Sequence, residues 1–421
     1  MSLRNREFAS LVVVGTLVGF GFASVYIARQ EIVDSASLSY GLFFLGLYLA
    51  AHVIARLTVP NADPYLLPMA GLLTGIGLTE IYRLDEDDAL RQGLWIVIGL
   101  AAFAATLFLL HTDFRRLESY KYLFGLGAIA LLVLPAMPVL GETVNGARLW
   151  VNIGPVHFQP GELAKILLIV FLAGYLREKR EVLAQFRLKD LGPLLLIWGA
   201  AMLVLVITND LGGGLLYFGI FLAMLYVATA RVLFVAAGAA LFVGGVVAVY
   251  SAIPRVHERV DIWLDPWSDP YGKGYQAAQS LYSIANGHFG GTGFGQSTVT
   301  DAAGHQLIPY ANTDFIFSVL AQELGLVGIA AFLLVYMLFA ARGYRIALLA
   351  QDGFSKLLAV GLTFAFTLQA FIIIGGIIRL IPLTGITLPF VSYGGSSIVT
   401  NFVLLAGLLL ISDRANEGLT R

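Results

Sequence analysis

The sequence predicts an all-α polytopic membrane protein with about twelve transmembrane helices and one large extracellular loop. Of its 421 residues, 58% are hydrophobic and only 13% are charged, whereas about a quarter of the residues in a soluble domain are charged. The mean hydropathy of +0.82 agrees with a membrane protein. One long polar stretch, residues 254–314, interrupts the apolar runs. We therefore expect most of the chain to lie in a bilayer, with its chemistry concentrated in this stretch.

Composition also excludes several classes of function. The formal net charge of −1 gives no sign of a nucleic-acid partner. The chain contains no cysteine, which excludes disulfides, thiolate catalysis and cysteine-bound metals. Its six histidines form no HxxH or HExxH pair, so the sequence predicts no histidine-based metal site.

Twelve apolar runs are long enough to cross a bilayer, which takes roughly 17–25 residues of helix. The first run begins after Met1–Arg6 without a small-residue cleavage site, so we expect a retained span rather than a signal peptide. The seventh and eighth runs are separated only by Asn209 and Asp210, which fits either a tight hairpin or one long broken helix. The runs lie near residues 8–28, 38–58, 65–82, 91–111, 122–140, 161–176, 192–208, 211–229, 232–253, 315–341, 357–379 and 395–412.

The distribution of basic residues predicts the orientation, because Lys and Arg collect in cytoplasmic loops. Arg4 and Arg6 place the N-terminus inside, and the acidic connection 85–88 then falls outside. With twelve spans, both termini are cytoplasmic. The basic residues that then lie inside are Arg115, Arg116, Lys121, Arg177, Lys179, Arg180, Arg187, Lys189, Arg342 and Arg345. The segments that lie outside include 141–158, 254–314 and 380–393.

Two charged side chains stand at the start of the sixth run, where they are unexpected in a membrane. Pro160 suits the first helical position, and Glu162 and Lys165 share one face of the helix because they are three residues apart. An ion pair at a helix end is one explanation. In the other, Lys165 faces a cavity and meets an anionic substrate, since intramembrane charges usually mark functional sites.

Three further polar groups stand in or beside the apolar runs. Asp210 precedes three glycines and suits the N-cap of the eighth helix. Arg148 is either an interfacial anchor or a clamp for phosphate, which the fork geometry of arginine favours. Glu323 lies about two turns into the tenth run, where a lone buried carboxylate is costly. We therefore expect Glu323 to pair with a cation such as Arg379 or Lys165.

Two glycine-rich segments also interrupt the second half of the chain. Residues 388–397 form a non-helical re-entry before the last run, and such backbone survives at membrane depth only against protein or a cavity. Packing and substrate contact both remain open for this segment. Residues 290–295 have the sequence Gly-Gly-Thr-Gly-Phe-Gly but lack the strand and helix of a dinucleotide-binding fingerprint. We expect a flexible turn there.

Charges of alternating sign and aromatic side chains crowd the polar stretch between residues 255 and 275. A solvated linker explains such charges, and the interfacial aromatic belt explains some of the rings. Interleaved aromatics also suit the face of a sugar. A carboxylate such as Asp269 can act as general base toward a hydroxyl, and basic groups near the outer leaflet can hold a diphosphate. This combination favours transfer from a lipid-diphosphate donor, with a transporter as the competing hypothesis.

Seven motifs follow one another along the chain, and in this order they resemble the signatures of the RodA/FtsW/SpoVE proteins, the SEDS peptidoglycan polymerases. The resemblance covers about residues 65–412. The motifs are Asn145-Gly146-Ala147-Arg148-x-Trp150, Phe158-Gln159-Pro160-x-Glu162-Leu163-Ala164-Lys165, Asp210-Leu211-Gly212, Asp265-Pro266-Trp267-x-Asp269-Pro270, Gly274-Tyr275-Gln276, Thr313-Asp314-Phe315-Ile316-Phe317 and Gly385-Ile386-Thr387-Leu388-Pro389-x-x-Ser392-Tyr393-Gly394-Gly395-Ser396-Ser397.

The resemblance implies a glycosyltransferase that polymerises lipid II at the outer face of the bacterial cytoplasmic membrane, for cell-wall elongation or division. A hydroxyl of the incoming lipid II would attack the growing glycan with inversion, with Asp269 as general base and undecaprenyl diphosphate as leaving group. It also implies a class B penicillin-binding protein as partner. A divalent cation, Mg²⁺ or Mn²⁺, could bridge diphosphate and carboxylate. The residues predicted to bind diphosphate or lipid II are Arg148, Lys165, Glu162, Asp265, Lys273, Gln276, Asp314, Glu323, Ser392 and Ser396.

The resemblance also divides the chain into two extra N-terminal helices, residues 1–60, and a core, residues 61–421, because family members commonly have ten spans. The extra helices are similar to those of actinobacterial RodA-like members and favour the elongation type. Asp265 stands where family members often have asparagine. Thr208 replaces the usual glutamine and Gln322 the usual glutamate, and neither change removes a proposed catalytic group.

Two other classes of function compete with the enzyme. A flippase or transporter of the lipid-linked precursor is favoured by the intramembrane charges and by the interruption near residues 209–214. A transporter should concentrate its essential residues at the bilayer midplane, whereas the densest polar cluster here is external. The loop 254–314 also has no counterpart in the first half of the chain. A scaffold that only recruits a transpeptidase would tolerate Asp269→Asn.

Overall fold

The computed structural model describes residues 2–28, 35–138, 140–144, 146–154, 156–181, 192–252, 254–299 and 307–420. Within these ranges the chain is predominantly helical, and a helix occupies each of the twelve positions predicted from the apolar runs. The helices are α1 (Leu3–Ala28), α2 (Ser35–Thr58), α3 (Leu66–Leu84), α4 (Glu86–Leu110), α5 (Arg116–Ser119), α6 (Lys121–Val133), α7 (Pro160–Glu178), α8 (Gly192–Ile207), α9 (Leu211–Thr229), α10 (Val232–Ala252), α11 (Pro254–Leu264), α12 (Tyr275–Asn286), α13 (Ile316–Leu349), α14 (Gly353–Ile377) and α15 (Gly395–Thr420).

Seven of the described helices are long and apolar enough to cross a membrane. They are α1, α2, α4, α9, α13, α14 and α15, and three shorter apolar helices lie at Lys121–Ala136, Gly192–Ile207 and Val232–Val247. A helical, multi-pass membrane protein is therefore confirmed. The count of twelve crossings, the orientation of the termini and the division at residue 60 stay predictions.

The seventh and eighth apolar runs form two separate helices joined by a tight turn. Asn209 adopts a left-handed conformation with φ of 58°. The side chain of Asp210 accepts a hydrogen bond from the backbone N–H of Gly213 at 2.8 Å, so the predicted N-cap is confirmed. Because α8 packs against α9, the tight hairpin is the correct alternative and the single broken helix is wrong.

A small antiparallel sheet lies between α6 and α7, within a segment for which no strand was predicted. Its strands are β1 (Gly141–Val144), β2 (Ala147–Ile153) and β3 (Val156–Phe158), in the order β1-β2-β3. Val144 pairs with Ala147, so only two residues connect β1 to β2. Their sequence, Asn-Gly, is the strongest local signal for a hairpin. Asn145 itself lies outside the described residues, while Gly146 has φ of 75°.

Polar segments from distant parts of the sequence meet at one end of the helices. The amide of Asn312 donates to Asp88 at 2.7 Å, and the backbone N–H of Arg148 donates to the carbonyl of Thr208 at 3.0 Å. The segments 85–88, 141–158, 208–210, 254–299, 307–314 and 378–394 thus share what we call the outer end, following the predicted orientation.

The opposite, inner end is held by a second set of polar contacts. Arg342 lies 3.2 Å from the carboxylate of Asp63, and Asp413 accepts the backbone N–H of Asn61 at 2.7 Å. The guanidinium of Arg4, in the first helix, donates to the carbonyl of Ala62. The first and last helices are therefore fastened to the same short connection between α2 and α3.

Helix α13 is broken at Gly325, and the glycine-rich loop wraps around the break. Gly325 has φ of 63° and ψ of −173°. The backbone N–H groups of Thr292 and Gly293 donate to the carbonyls of Gln322 and Glu323 at 3.0 and 3.1 Å. The predicted turn at 290–295 is present, and its backbone groups satisfy the carbonyls that the helix break leaves open; its flexibility stays a prediction.

Candidate functional site

A cavity of about 560 Å³ opens at the outer end, beside helix α11 and the turn that follows it. This volume lies within the range of sites for small molecules and cofactors. Three of the predicted site residues, Asp265, Asp269 and Lys273, line it. The lining residues are Tyr250, Ser251, Pro254, His257, Glu258, Asp261, Ile262, Asp265, Ser268, Asp269, Lys273 and Gly274.

The local sequence explains how Asp269 is placed in this cavity. A 3₁₀ turn, Pro266–Ser268, follows α11, and Asp265 caps this turn by accepting the backbone N–H of Trp267 at 3.0 Å. Asp269 follows, exposed, with Oδ2 accepting the backbone N–H of Lys273 at 3.0 Å. Asp265 thus has a capping role that explains it, whereas Asp269 presents an exposed carboxylate to the cavity.

Two glycines make this turn possible. A Cβ at position 272 would lie 2.3 Å from Oδ2 of Asp269, and one at position 274 would lie 2.1 Å from the carbonyl oxygen of Pro266. Both distances are far below van der Waals contact. Gly272 and Gly274 therefore allow the chain to fold closely around the carboxylate, which explains the Gly-Lys-Gly sequence in physical terms.

Charged pairs line the wall of the cavity that α11 provides. Lys273 lies 3.0 Å from Glu258, and the hydrogen bond to that carboxylate raises the pKa of Lys273. His257 lies 3.2 Å from Asp261 on the next helical turn. The cavity therefore combines an exposed carboxylate, Asp269, with a lysine that is held near it by a neighbouring acid.

Arg259 is a central cation of the outer end that the sequence reasoning did not single out. Its Nη1 donates to the carbonyl of Thr384 at 3.1 Å. Burial raises the pKa of Asp314 to about 6 and that of Asp210 to about 6, and Arg259 opposes both shifts. The signal available in the sequence was the spacing of Arg255, Arg259 and Trp263, which places them on one face of a helix.

Glu162 and Lys165 form a buried ion pair, which agrees with the first explanation given for them, an ion pair at a helix end. Lys165 is only 2% exposed, and its Nζ lies 2.9 Å from Glu162 and 2.6 Å from Oε1 of Gln369. Gln369 in turn donates to the carbonyl of Thr387 at 3.0 Å. The pair therefore connects α7 through α14 to the re-entrant segment and lies outside the lining of the cavity.

The partner of Glu323 is Arg83, so the expectation of Arg379 or Lys165 is wrong. The carboxylate lies 2.7 Å from the guanidinium of Arg83 and accepts the backbone N–H groups of Gly295 and Ser297 at 2.7 and 3.3 Å. Arg83 also contacts Glu80 at 3.0 Å. Glu323 therefore fastens the glycine-rich loop to α3.

Gln276, Ser392 and Ser396 make contacts that shape the outer end. Gln276 donates to the carbonyl of Pro309 at 3.3 Å, and Ser392 donates to the carbonyl of Thr313 at 2.6 Å. Ser396 accepts the backbone N–H of Gln159 at 2.8 Å, just before α7 begins. These contacts give each of the three side chains a structural role, and none of the three lines the cavity.

Arg148 lies on β2 with its Nε donating to Oγ1 of Thr143 at 3.2 Å. It lines a crevice of only about 10 Å³ that it shares with Gln159, Thr208 and Asp210. The structure therefore brings Asp265, Asp269 and Lys273 together in one cavity and places Arg148 in a separate crevice. The remaining predicted residues line neither the cavity nor the crevice; they are Glu162, Lys165, Gln276, Asp314, Glu323, Ser392 and Ser396.

Comparisons with known protein sequences agree over nearly the whole chain. A family model for FtsW, RodA and SpoVE, described as "Cell cycle protein", matches residues 66–417. Peptidoglycan glycosyltransferase RodA of Mycobacterium tuberculosis H37Rv is 40% identical over an alignment that covers 99% of this chain and 92% of that protein. Stage V sporulation protein E of Bacillus subtilis is 38% identical, with 84% and 97% covered.

Two solved structures share the fold. A chain from a peptidoglycan synthase complex, studied for its structural coordination of polymerization and crosslinking, superposes with a TM-score of 0.71 at 30% identity, covering 84% of this chain and 98% of that chain. The rod shape determining protein RodA of Thermus thermophilus superposes with a TM-score of 0.58 at 26% identity, covering 84% and 97%. Because the family model and the sequence relatives both match most of its length, this chain belongs to the FtsW/RodA/SpoVE family.

Proposed function

We propose that this protein is a peptidoglycan glycosyltransferase that polymerises lipid II at the outer face of the bacterial cytoplasmic membrane. The observation that carries the proposal is the cavity at the outer end, in which an exposed carboxylate, Asp269, lies beside a lysine. Relatives that are 40% identical over 99% of the chain bear the name peptidoglycan glycosyltransferase, which supports the reaction class.

In the proposed reaction, Asp269 accepts the proton of a sugar hydroxyl on the incoming lipid II. The hydroxyl oxygen then forms a bond to the anomeric carbon at the reducing end of the growing glycan. The bond between that carbon and the diphosphate oxygen breaks, and undecaprenyl diphosphate leaves with the electron pair and inversion at carbon. We assign Lys273 and Arg148 to the diphosphate. Lys273 pairs with Glu258 but is 67% exposed and lines the cavity, whereas Lys165 is buried and pairs with Glu162.

A divalent cation that bridges diphosphate and carboxylate is a further part of the proposal, and it is based on ligand chemistry alone. Carboxylate and phosphate oxygens are the ligands that hard cations prefer, and several acidic side chains line the cavity. Among the residues that the structure describes, however, no group of three or more His, Asp or Glu side chains is arranged to hold a metal ion. Polymerisation with added Mg²⁺ or Mn²⁺, compared with polymerisation in a chelator, tests whether a cation is required.

The proposed partner is a class B penicillin-binding protein, which would cross-link the glycan. The similarity to a chain of a peptidoglycan synthase complex supports this assignment. On the outer end, Tyr271 is 93% exposed and Trp267, which contacts Tyr282 with ring centroids 5.5 Å apart, is 44% exposed. These rings offer a surface for a sugar or for the partner.

The first test is polymerisation of fluorescent lipid II by the purified protein, with and without its class B partner. We expect long glycan from the wild type and none from Asp269→Asn. Asp265→Asn is the comparison variant in the same cavity. An asparagine oxygen can still cap the 3₁₀ turn, so we expect polymer from this variant if the cap is the main contribution of Asp265. Polymer from Asp269→Asn would contradict the assignment of the base. A silent wild type would contradict the enzyme and bring back the transporter and scaffold hypotheses.

A further inference from the structure

Helix α14 ends in a motif whose key position is usually glycine in other proteins. The N–H of Leu380 donates to the carbonyl of Gly375 at 2.7 Å, and the N–H of Arg379 donates to that of Gly376 at 3.2 Å. This pair of bonds defines a Schellman cap, in which the residue after the cap is left-handed. Here that residue is Arg379, with φ of 61°. An arginine in this conformation is strained, so its side chain is expected to have a role.

The side chain of Arg379 reaches across the outer end to the last turn of α11. Its Nε and Nη2 donate to the carbonyl of Trp263 at 3.0 and 2.8 Å, and Nη2 also donates to the carbonyl of Leu264 at 2.7 Å. Carbonyls in the last turn of a helix lack helical partners and carry partial negative charge, so a guanidinium is a favourable cap for them.

The contact is reciprocal, which fixes its geometry. The indole Nε1 of Trp263 donates to the backbone carbonyl of Arg379 at 3.0 Å. Two donors of Arg379 and one donor of Trp263 therefore connect the same two residues in both directions. We call this arrangement the 263–379 clamp. A second tie between the same segments runs from Arg259 to the carbonyl of Thr384.

The clamp lies immediately before the residues that form the cavity. Helix α11 supplies one wall of the cavity, and the turn that begins at Asp265 leads directly to Asp269. Arg379 and Trp263 do not line the cavity themselves. Helix α14, in contrast, is packed against α13, α9 and α7 within the helical core. The clamp therefore connects the C-terminal end of α11, at the outer end, to a helix of the core.

We propose that Arg379 is a positioning residue: it fixes the C-terminal end of α11, and through it the carboxylate of Asp269, relative to the helical core. This inference rests on the proposed glycosyltransferase function. A misplacement of about 1 Å at a reacting group can reduce a rate by roughly a hundredfold. The clamp therefore affects the catalytic step more than the binding of lipid II.

Arg379→Gly is the most informative variant, because it removes the clamp and keeps the Schellman cap at the end of α14. Glycine suits the left-handed position, so the melting temperature should stay the same or rise. We expect kcat for lipid II polymerisation to fall about tenfold or more, with KM changed much less. Trp263→Phe should lower kcat in the same direction, and the double variant should be less than additive, since both single changes break one unit.

Ala230→Gly is the matched control. Ala230 is another non-glycine residue in left-handed conformation at a helix C-cap, with φ of 53°, at the inner end of α9. It relieves backbone strain in the same way without touching the outer end, so its kcat should equal that of the wild type. Arg379→Lys retains the charge but not the fork of donors, and we expect it to restore only part of the loss.

Hydrogen exchange of the amides in residues 256–268 gives a readout that does not depend on activity. Arg379→Gly should increase exchange there, and Ala230→Gly should not. Unchanged exchange and kcat in Arg379→Gly, with an active wild type, would overturn the positioning role. If the wild type does not polymerise lipid II, the proposed function fails instead, and the exchange experiment still decides whether the clamp holds α11.

Discussion

The carboxylate of Asp269 is so close to position 272 that even one methyl group would move it. We predict that Gly272→Ala lowers the rate of polymerisation about tenfold or more without unfolding the protein. The added Cβ would lie 2.3 Å from Oδ2 of Asp269. The carboxylate of Asp269 would therefore have to move from its present position in the cavity. Gly290→Ala is the control, since no atom lies within 4 Å of a Cβ there. Equal rates for the two variants would contradict the proposed geometry of the turn.

Glu80 and Glu323 share the guanidinium of Arg83, and we predict that they respond differently to replacement by glutamine. Glu323 accepts hydrogen bonds from two backbone amides and pairs with Arg83. Breaking such a buried pair costs about 3–5 kcal/mol, so Glu323→Gln should lower the melting temperature clearly. Glu80 contacts the same guanidinium through Oε1 at 3.0 Å and accepts no backbone amide among the contacts of the described residues.

Glutamine at position 80 keeps a side-chain oxygen for Arg83 and places no second carboxyl group beside Glu323. Glu80→Gln should therefore leave the melting temperature unchanged or raise it. Thermal unfolding of the two variants in the same detergent makes the comparison, with the wild type beside them. A loss of stability in Glu80→Gln as large as in Glu323→Gln would contradict this difference and show that both carboxyl groups are needed.

Single-residue roles could be predicted where the partner is local and not where it is distant. The N-cap of Asp210 and the pairing of Glu162 with Lys165 involve residues three positions apart, and spacing alone reveals them. The partner of Glu323 is Arg83, which no periodicity connects to it. The roles of Arg259 and Arg379 likewise depend on how separate segments meet at the outer end.

The break in helix α13 is the element whose backbone is most constrained. Gly325 has φ of 63° and ψ of −173°, a region that is essentially accessible only to glycine. A Cβ there would lie 2.1 Å from the backbone nitrogen of Gly291. We predict that Gly325→Ala strongly destabilises the protein, as thermal unfolding would show, and detaches the loop that carries Gly290–Gly295.

Gly46→Ala is the control for that substitution. Gly46 lies within helix α2, where no atom is within 4 Å of the position that a Cβ would take, and alanine is a better helix former by about 1 kcal/mol. Its melting temperature should be equal to or above that of the wild type. Comparable stability of Gly325→Ala would mean that the break is not required for the fold.

Whole elements were predicted best where apolar length decides the structure. Each of the twelve apolar runs contains a helix, because an apolar segment away from water must satisfy its backbone groups internally. The sheet at 141–158 was missed, although its Asn-Gly turn is a hairpin signal. Helix α11 was also missed. Its charged residues alternate in sign along the sequence, which is typical of a solvated linker, whereas a helical period of 3.6 residues places them on distinct faces of a helix.

The outer end as a whole should respond to pH through Asp210 and Asp314. Burial raises the pKa of each carboxyl to about 6, above the ordinary value near 4. A raised pKa means that the group contributes stability at low pH which is lost as the pH rises through 6. We therefore predict that the melting temperature falls from pH 5 to pH 7 by more in the wild type than in Asp210→Asn/Asp314→Asn.

Asparagine can replace aspartate as an N-cap, so the double variant should keep the turn before α9. Groups that titrate elsewhere contribute equally to both proteins, and the difference between the two pH profiles isolates this pair. Parallel profiles would contradict the assignment. The proximity of these two residues to Arg259 was not predictable, because a hydropathy pattern locates helices without saying which of them become neighbours.

The fastening of the first helix to the last has a consequence for biosynthesis. Arg4 is buried and pairs with Glu7 of the same helix, with Asp413 and Asp63 as further acidic neighbours, so its environment is complete only when α15 is in place. At a synthesis rate of about 5–20 residues per second, Asp413 follows Arg4 by roughly 20 to 80 s. Helix α1 is therefore in the membrane for most of translation before all the acidic neighbours of Arg4 have been synthesised. Insertion of the last helix is the event that closes the inner end.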